Sequence, residues 1–500
     1  MRIKFLLPAI VATPILASAN IAVAATPKKP NVVLIFVDDM RYDAIAALGN
    51  DVIKTPNLDR LVKGGVTFTN TYMQGANTGG TSVPSRAQLL SGRGLFEIAD
   101  GTGKEMDSSM TTLAEALSAG GYYTHIIGKS HNGPTYSMQG FQGGDRLYGL
   151  KNGYYRPHFK IPIQDFREDG KYNSNANKYL VKSLDPELRE PATNYSSNKA
   201  DDDFRGVHSS ELFGRAAMDF IVSYDREEPY FLYLAFHAPH DTRISPPEYH
   251  NMYNPKDIKL PANFLPQHPF DNGDLSCRDE LLAPHPRTES DTKQQIADYY
   301  GIISHLDHWV GEVIKSLEES GDAKNTIIVF ASDSGLAVGS HGLFGKQSLY
   351  DDGGVHIPFI ISGAGIPRNQ RRNDLCYTYD IYPTLCDLTS SAIPSTVTGK
   401  SLKSRVLDGK SEKIRSELYL GYRTFQRAVR CDEYKLIEYC VGDERHTQLF
   451  NIAKDPRETT DLSTDAAYSA KLAQMRKKLE KNRSVEAQWG EEFWTKYDKK

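Results

Sequence analysis

Three short, unbroken apolar runs constrain this chain more than any other feature: Asn31 to Val37, Tyr230 to Phe236 and Thr326 to Ala331. None alternates apolar with polar residues, which is the pattern of strands buried on both faces of a parallel sheet. Each run stops abruptly at polar groups: Asp38-Asp39 after the first, His237 after the second, Ser332 and Asp333 after the third. Open α/β sheets bind their ligands at the carboxyl ends of the strands, so the chemistry is expected there. Between the runs lie helical patterns, the clearest placing Ile296, Tyr299, Ile303, Leu306, Val310, Val313 and Leu317 on one face. A shorter helix near Thr111 to Ala119 precedes a strand at about Tyr122 to Ile127, which ends at Gly128-Lys129-Ser130-His131. Strands alternating with helices predict an α/β fold with a large, mostly parallel sheet sandwiched by helices.

From about Gly133 to Glu228 the periodicity fades and Tyr, Asn, Lys and Asp become frequent, a texture that reads as substrate-facing loops or a solvated insertion. After about Leu402 the texture changes again. Short strands at Arg427 to Arg430, Tyr434 to Tyr439 and Gln448 to Ile452, then a charged helix near Ala466 to Leu479, predict a small antiparallel subdomain. The expected organisation is a signal peptide over 1–24, a catalytic domain over 25–410 and a C-terminal subdomain over 411–500.

The signal peptide reading rests on Arg2 and Lys4, the apolar stretch Phe5 to Leu16 and the small residues Ala22-Val23-Ala24. Pro8 and Pro14 interrupt that stretch, which is shorter than the ~20 apolar residues of a membrane span. An exported protein, periplasmic or secreted and without a membrane span, is expected. Lys plus Arg total 59 against 63 for Asp plus Glu, so no basic surplus points to nucleic acid. The five cysteines, at 277, 376, 386, 431 and 440, match neither a disulfide framework nor a zinc pattern. Cys431 and Cys440 are the candidate pair for a single bridge.

The segment Ser82-Val83-Pro84-Ser85-Arg86, continuing to Leu89-Leu90-Ser91-Gly92, carries the strongest chemical signal. Pro84 suits the first turn of a helix, which would put residue 82 just before the helix N-terminus, where backbone N–H groups favour an anion. Arg86, one turn along, can reach back to the same anion. Adjacent carboxylates such as Asp38-Asp39 at a buried strand end call for a cation or several donors. On their own, Asp38-Asp39 also read as a helix cap, and Lys129-Ser130-His131 as surface residues.

Taken together, these segments resemble the type I sulfatases, in the alkaline phosphatase superfamily. The resemblance implies that residue 82 is oxidised to formylglycine by a maturation enzyme and becomes the nucleophile on sulfur. It implies a divalent ion, usually Ca2+, held by Asp38, Asp39, Asp333 and residue 82, with Ser334 where the family generally has Asn, Gln or His. Arg86, Lys129 and Lys346 would grip the sulfate, His131 would restore the aldehyde, and His237 would protonate the leaving alcohol. His240 and His341 could face the sugar. The implied substrate is a sulfated carbohydrate, with carrageenan-type galactans and glycosaminoglycans both compatible. Two other readings stand beside it: a phosphodiesterase or phosphonate hydrolase of the same superfamily, and an inactive sugar-binding relative.

Overall fold

A computed structural model describes residues 28–98, 100–104, 109–149, 158–159, 161, 163, 166, 207–486 and 488–499. The expected signal peptide lies outside the described residues, as does much of the stretch from Gly133 to Glu228.

Among the described residues, the main sheet contains nine strands. Eight lie along one path: β1 (Asn31–Val37), β2 (Gly65–Tyr72), β4 (Tyr123–Lys129), β5 (Gly143–Tyr148), β6 (Tyr230–Ala235), β7 (Thr326–Ser332), β9 (Phe359–Gly363) and β10 (Gln370–Tyr377). Their spatial order is β10-β2-β9-β7-β1-β6-β4-β5, with the short β8 (His356–Ile357) on β2. β9 runs antiparallel to both of its neighbours, β2 and β7, and β8 antiparallel to β2; the other pairs are parallel. The three apolar runs are therefore the adjacent central strands β7, β1 and β6, as their composition predicts. Their lack of alternation has a direct cause. Val33, Ile35 and Val37 of β1 enter the core shared with the Ser209–Ser223 and Glu289–Glu319 helices, while Val32, Leu34 and Phe36 enter a second core on the opposite face. That second core includes Leu89 and Leu90 of the Ser82–Ser91 helix and the apolar side of the Ile381–Leu388 helix.

Two parts of the sequence reading need correction. The supposed irregular stretch supplies the edge strand β5 and the 15-residue Ser209–Ser223 helix. β5 escapes detection because Gly143-Gly144-Asp145-Arg146 offers neither an apolar run nor an alternation, and Asp145 and Arg146 are only partly buried in this edge strand. The Cys431–Cys440 bridge does not form; all five cysteines are free. Those two sit at opposite ends of a hairpin, Cys431 beside its turn and Cys440 near Phe425 at the far end.

The second sheet runs β14-β13-β12-β11-β3, with β3 (Gly75–Ala76), β11 (Glu417–Tyr422), β12 (Gln426–Cys431), β13 (Tyr434–Val441) and β14 (Glu444–Asn451). Its larger strands are antiparallel, but β3 comes from the N-terminal half and pairs in parallel with β11. The final helices, Ser469–Lys481 and Glu491–Tyr497, cover its outer face through Met475, Leu479, Phe493 and Trp494. Buried ions join this sheet to the rest of the chain. Lys435 Nζ lies 2.6 Å from Asp351 Oδ1 and 2.9 Å from Glu458 Oε1, so two carboxylates share one ammonium.

That sharing has a consequence for stability. Burial, reinforced by Asp351, pushes the Glu458 carboxyl up to about 8 against the pull of Lys435. The folded chain then holds this proton more tightly than the unfolded chain, so the contribution is complete below the ordinary carboxyl range and is lost as pH rises through about 8. In urea unfolding at about pH 5 and about pH 9, Glu458→Gln should lose less stability across the interval than the unsubstituted protein, by on the order of 1–3 kcal/mol. Equal losses would contradict the assignment.

Candidate active site

The site assembles where β1, β4, β6 and β7 end. After Val37 the chain turns sharply, with Asp39 at φ 68°, a left-handed conformation that Asp tolerates better than most residues. The turn is clamped from two sides: Met40 N donates to Ser332 Oγ at 2.9 Å, and Tyr299 OH donates to the Asp39 carbonyl at 2.7 Å. Asp39 N donates to Asp333 Oδ1 at 3.0 Å, which ties the ends of β1 and β7 together. Asp38, Asp39 and Asp333 are all buried.

Ser82 is the first residue of its helix, not the residue before it, and Pro84 falls within the first turn. All ten residues of this helix are buried, so no amphipathic period marks its start. Ser82 Oγ donates to Asp38 Oδ1 at 2.8 Å. Arg86 lies one turn on, completely buried, with Nη2 3.5 Å from Asp38 Oδ2 and 3.4 Å from Asp333 Oδ2. Its Nη1 donates to Tyr233 OH at 3.1 Å and to the Lys129 carbonyl at 3.3 Å, fixing the guanidinium between strands. Sequence reasoning missed Tyr233, whose place inside an apolar run gives no polar signal.

Lys129, at the end of β4, donates to Asp38 Oδ2. Lys346 Nζ is 2.6 Å from Asp39 Oδ2. Ser334 Oγ donates to Asp39 Oδ1 at 2.8 Å. His237 follows β6 with Nδ1 3.8 Å from Asp38 Oδ2, too long for a hydrogen bond, and neither of its buried ring nitrogens has a hydrogen-bond partner among the described residues. Nδ1 of His131 is likewise buried without one. His240 sits with Nε2 3.8 Å from Asp39 Oδ2. His341 instead stacks on Tyr350, with ring centroids 3.8 Å apart, and lines a cavity of about 760 Å³ beside Gln448 and Phe450 of the second sheet.

Three carboxylates thus face three basic side chains, Arg86, Lys129 and Lys346. The charge states follow from this crowding. Burial pushes Asp38 up, yet Lys129, His240, His237 and Arg86 together hold it well below the usual carboxylate range. Burial, with Asp38 and Asp39 adding repulsion, raises Asp333 to about 7 despite Arg86 and Lys346. Its Oδ2 accepts no hydrogen bond. Converging carboxylates with an oxygen left unsatisfied, beside a hydroxyl, form a donor set that fits a hard divalent cation. Burial lowers both His131 and His237 well below the ordinary imidazole value, leaving them neutral. Three basic side chains among three carboxylates, a hydroxyl at a helix start and two neutral imidazoles make a buried pocket suited to an anionic ester.

Comparison with known proteins gives the family. Residues 30–391 match the family model described as Sulfatase, and residues 339–485 match that described as N-sulphoglucosamine sulphohydrolase, C-terminal. The chain is 29% identical over 487 residues to an arylsulfatase of Clostridium perfringens, covering 90% of this chain and 94% of that one. It is 24% identical to an N-acetylglucosamine-6-O-sulfatase of Bacteroides thetaiotaomicron, covering 93% and 89%. A solved structure in complex with its substrate D-glucosamine-2-N,6-O-disulfate superposes with a TM-score of 0.71 at 21% identity, covering 92% of this chain and 98% of that one. The chain belongs to the sulfatase family. It is a sulfuric ester hydrolase whose relatives include carbohydrate sulfatases.

Arg86 compensates two buried carboxylates, so its loss takes the guanidinium from Asp333 Oδ2 and leaves Asp38 with Lys129 and the Ser82 hydroxyl. Arg86→Met is expected to cost about 3–5 kcal/mol in urea unfolding near neutral pH. A loss below about 1 kcal/mol would show that the guanidinium does not carry the charge balance.

Proposed function

We propose that this protein hydrolyses sulfate esters on a carbohydrate, using formylglycine formed at residue 82 by a maturation enzyme and a divalent ion, Ca2+ in the first instance. The observation that carries the reading is the Ser82 hydroxyl on Asp38 Oδ1, ringed by Arg86, Lys129, Lys346 and the unpartnered His237. The relatives named above support the carbohydrate, and glycosaminoglycan and carrageenan sulfates are both kept as substrates. The catalytic domain is assigned to 25–410 and the C-terminal subdomain to 411–500, after an export signal over 1–24 that would deliver the enzyme to the periplasm or the medium.

Asp38, Asp39, Asp333 and residue 82 would hold the ion, with Ser334 beside Asp39. When bound, it supplies positive charge beside the sulfate oxygens and favours an ionised oxygen at residue 82. The oxidised residue 82 would supply a geminal diol: one oxygen, its proton lost to water, would bond to sulfur as the bond from sulfur to the sugar oxygen breaks, and loss of the other hydroxyl's proton would then expel sulfate and restore the aldehyde. Arg86, Lys129 and Lys346 hold the sulfate and stabilise the charge that builds up on it. His237, neutral without substrate, would take up a proton as the anionic ester binds beside it and then give that proton to the departing sugar oxygen. His131 takes the proton that the second hydroxyl loses, a task suited to the neutral imidazole that its burial maintains.

A panel of sulfated oligosaccharides, assayed for free sulfate by ion chromatography beside aryl sulfate and aryl phosphate esters, tests this reading. Sulfate release well above phosphate release is expected; faster phosphate turnover would overturn it. His237→Ala should slow sugar sulfates by about 10²–10⁴-fold and nitrophenyl sulfate far less, because a good leaving group needs no proton. Equal losses on both would remove His237 from the acid role.

A further inference from the structure

The cation site read from the sequence contains oxygen donors alone. The structure brings a nitrogen to it. One donor atom from each of Asp38, Asp39 and His240 falls within 4.8 Å of the others, close enough for the three to share a single ion. His240 Nε2 is the nitrogen concerned, 3.8 Å from Asp39 Oδ2.

The ring is fixed from behind. His240 Nδ1–H donates to the Asp241 carbonyl at 2.7 Å and lies 2.8 Å from Asp241 Oδ1, and Arg278 Nη2 in turn donates to that carboxylate at 3.1 Å. His158 Nε2–H grips the His240 carbonyl at 2.8 Å, while His158 Nδ1 accepts from Ser209 Oγ at 2.6 Å. A carboxylate behind one imidazole nitrogen turns the other toward a metal and raises its basicity, the usual arrangement around histidine ligands. Asp333 Oδ2, also in this carboxylate cluster, is buried and accepts no hydrogen bond. The Ser334 hydroxyl proton is committed to Asp39.

We propose that His240 is a protein ligand of the cation, making the centre a mixed nitrogen and oxygen site in which Ser334 supports Asp39. The inference rests on the proposed reaction only in needing a cation there, not on its substrate. Imidazole suits Mn2+ and Zn2+ better than Ca2+, whose ligands are oxygens, so His240 narrows the margin by which this site prefers Ca2+.

The test is pulsed electron paramagnetic resonance of the chelator-stripped full-length protein reloaded with Mn2+ alone. An imidazole nitrogen coupled to the bound Mn2+ is expected, lost in His240→Asn and retained in His237→Asn. Titration with Mn2+ should show affinity falling about 10–100-fold in His240→Asn, and in the same direction in Asp241→Asn, which only releases the ring. Bound Mn2+ without nitrogen coupling, coupling that survives His240→Asn, or no Mn2+ binding would each overturn the proposal. Sulfate release measured in parallel separates the two readings. Hydrolysis by a protein without the nitrogen signal would sink the ligand and leave the sulfatase reading standing, whereas the signal in a protein that releases no sulfate would support the ligand and sink the reaction.

Discussion

Asp38 receives the Ser82 hydroxyl on one oxygen and faces Lys129, Arg86 and His237 with the other, so a helix and the ends of two strands converge on the single buried carboxylate that follows β1. Burying ion pairs is a poor way to gain stability, because each charge gives up its hydration. Such a concentration of charge at one sheet end therefore speaks of function. Asp38, Asp39 and Asp333 offset Arg86, Lys129 and Lys346 in number. A divalent cation added there brings a positive excess, and the single negative charge of a sulfate ester offsets part of it.

The architecture serves this arrangement. β1 is buried on both faces, which leaves its end little freedom, and clamps from Tyr299 and Ser332 set the turn that presents Asp38 and Asp39. The helix bearing Ser82 and Arg86 is buried on every side, and Gln88 Nε2 ties it to the Gly75 carbonyl of β3 at 3.2 Å. Because β3 belongs to the second sheet, that sheet braces the helix that carries the hydroxyl.

Much of this was legible in the sequence, for physical reasons. Burial on both faces writes a continuous apolar run, so β1, β6 and β7 and the polar groups at their ends could be read directly. The site residues Ser82, Arg86, Lys129, His237, Asp333 and Lys346 carried chemical identity as well as position, and the structure brings them together. What failed to show lacked a one-dimensional signature. The Gly143-Gly144-Asp145-Arg146 start of β5 resembles a loop, and the Ser209–Ser223 helix, although Leu212, Phe213, Ala216, Ala217 and Ile221 repeat at helical spacing, lay inside a stretch of loop-like composition. His240 and His341 looked alike in sequence, each near a motif. Only three-dimensional contacts separate the first, beside Asp39, from the second, stacked on Tyr350.

The account turns on the state of residue 82, since a serine hydroxyl on Asp38 and an aldehyde hydrate in the same place support different chemistry. Mass spectrometry of the peptide spanning Ser82, from protein made in its natural host and releasing sulfate, addresses this directly. Loss of two hydrogens from Ser82 is the expected result; an unmodified serine throughout a fully active preparation would contradict the mechanism.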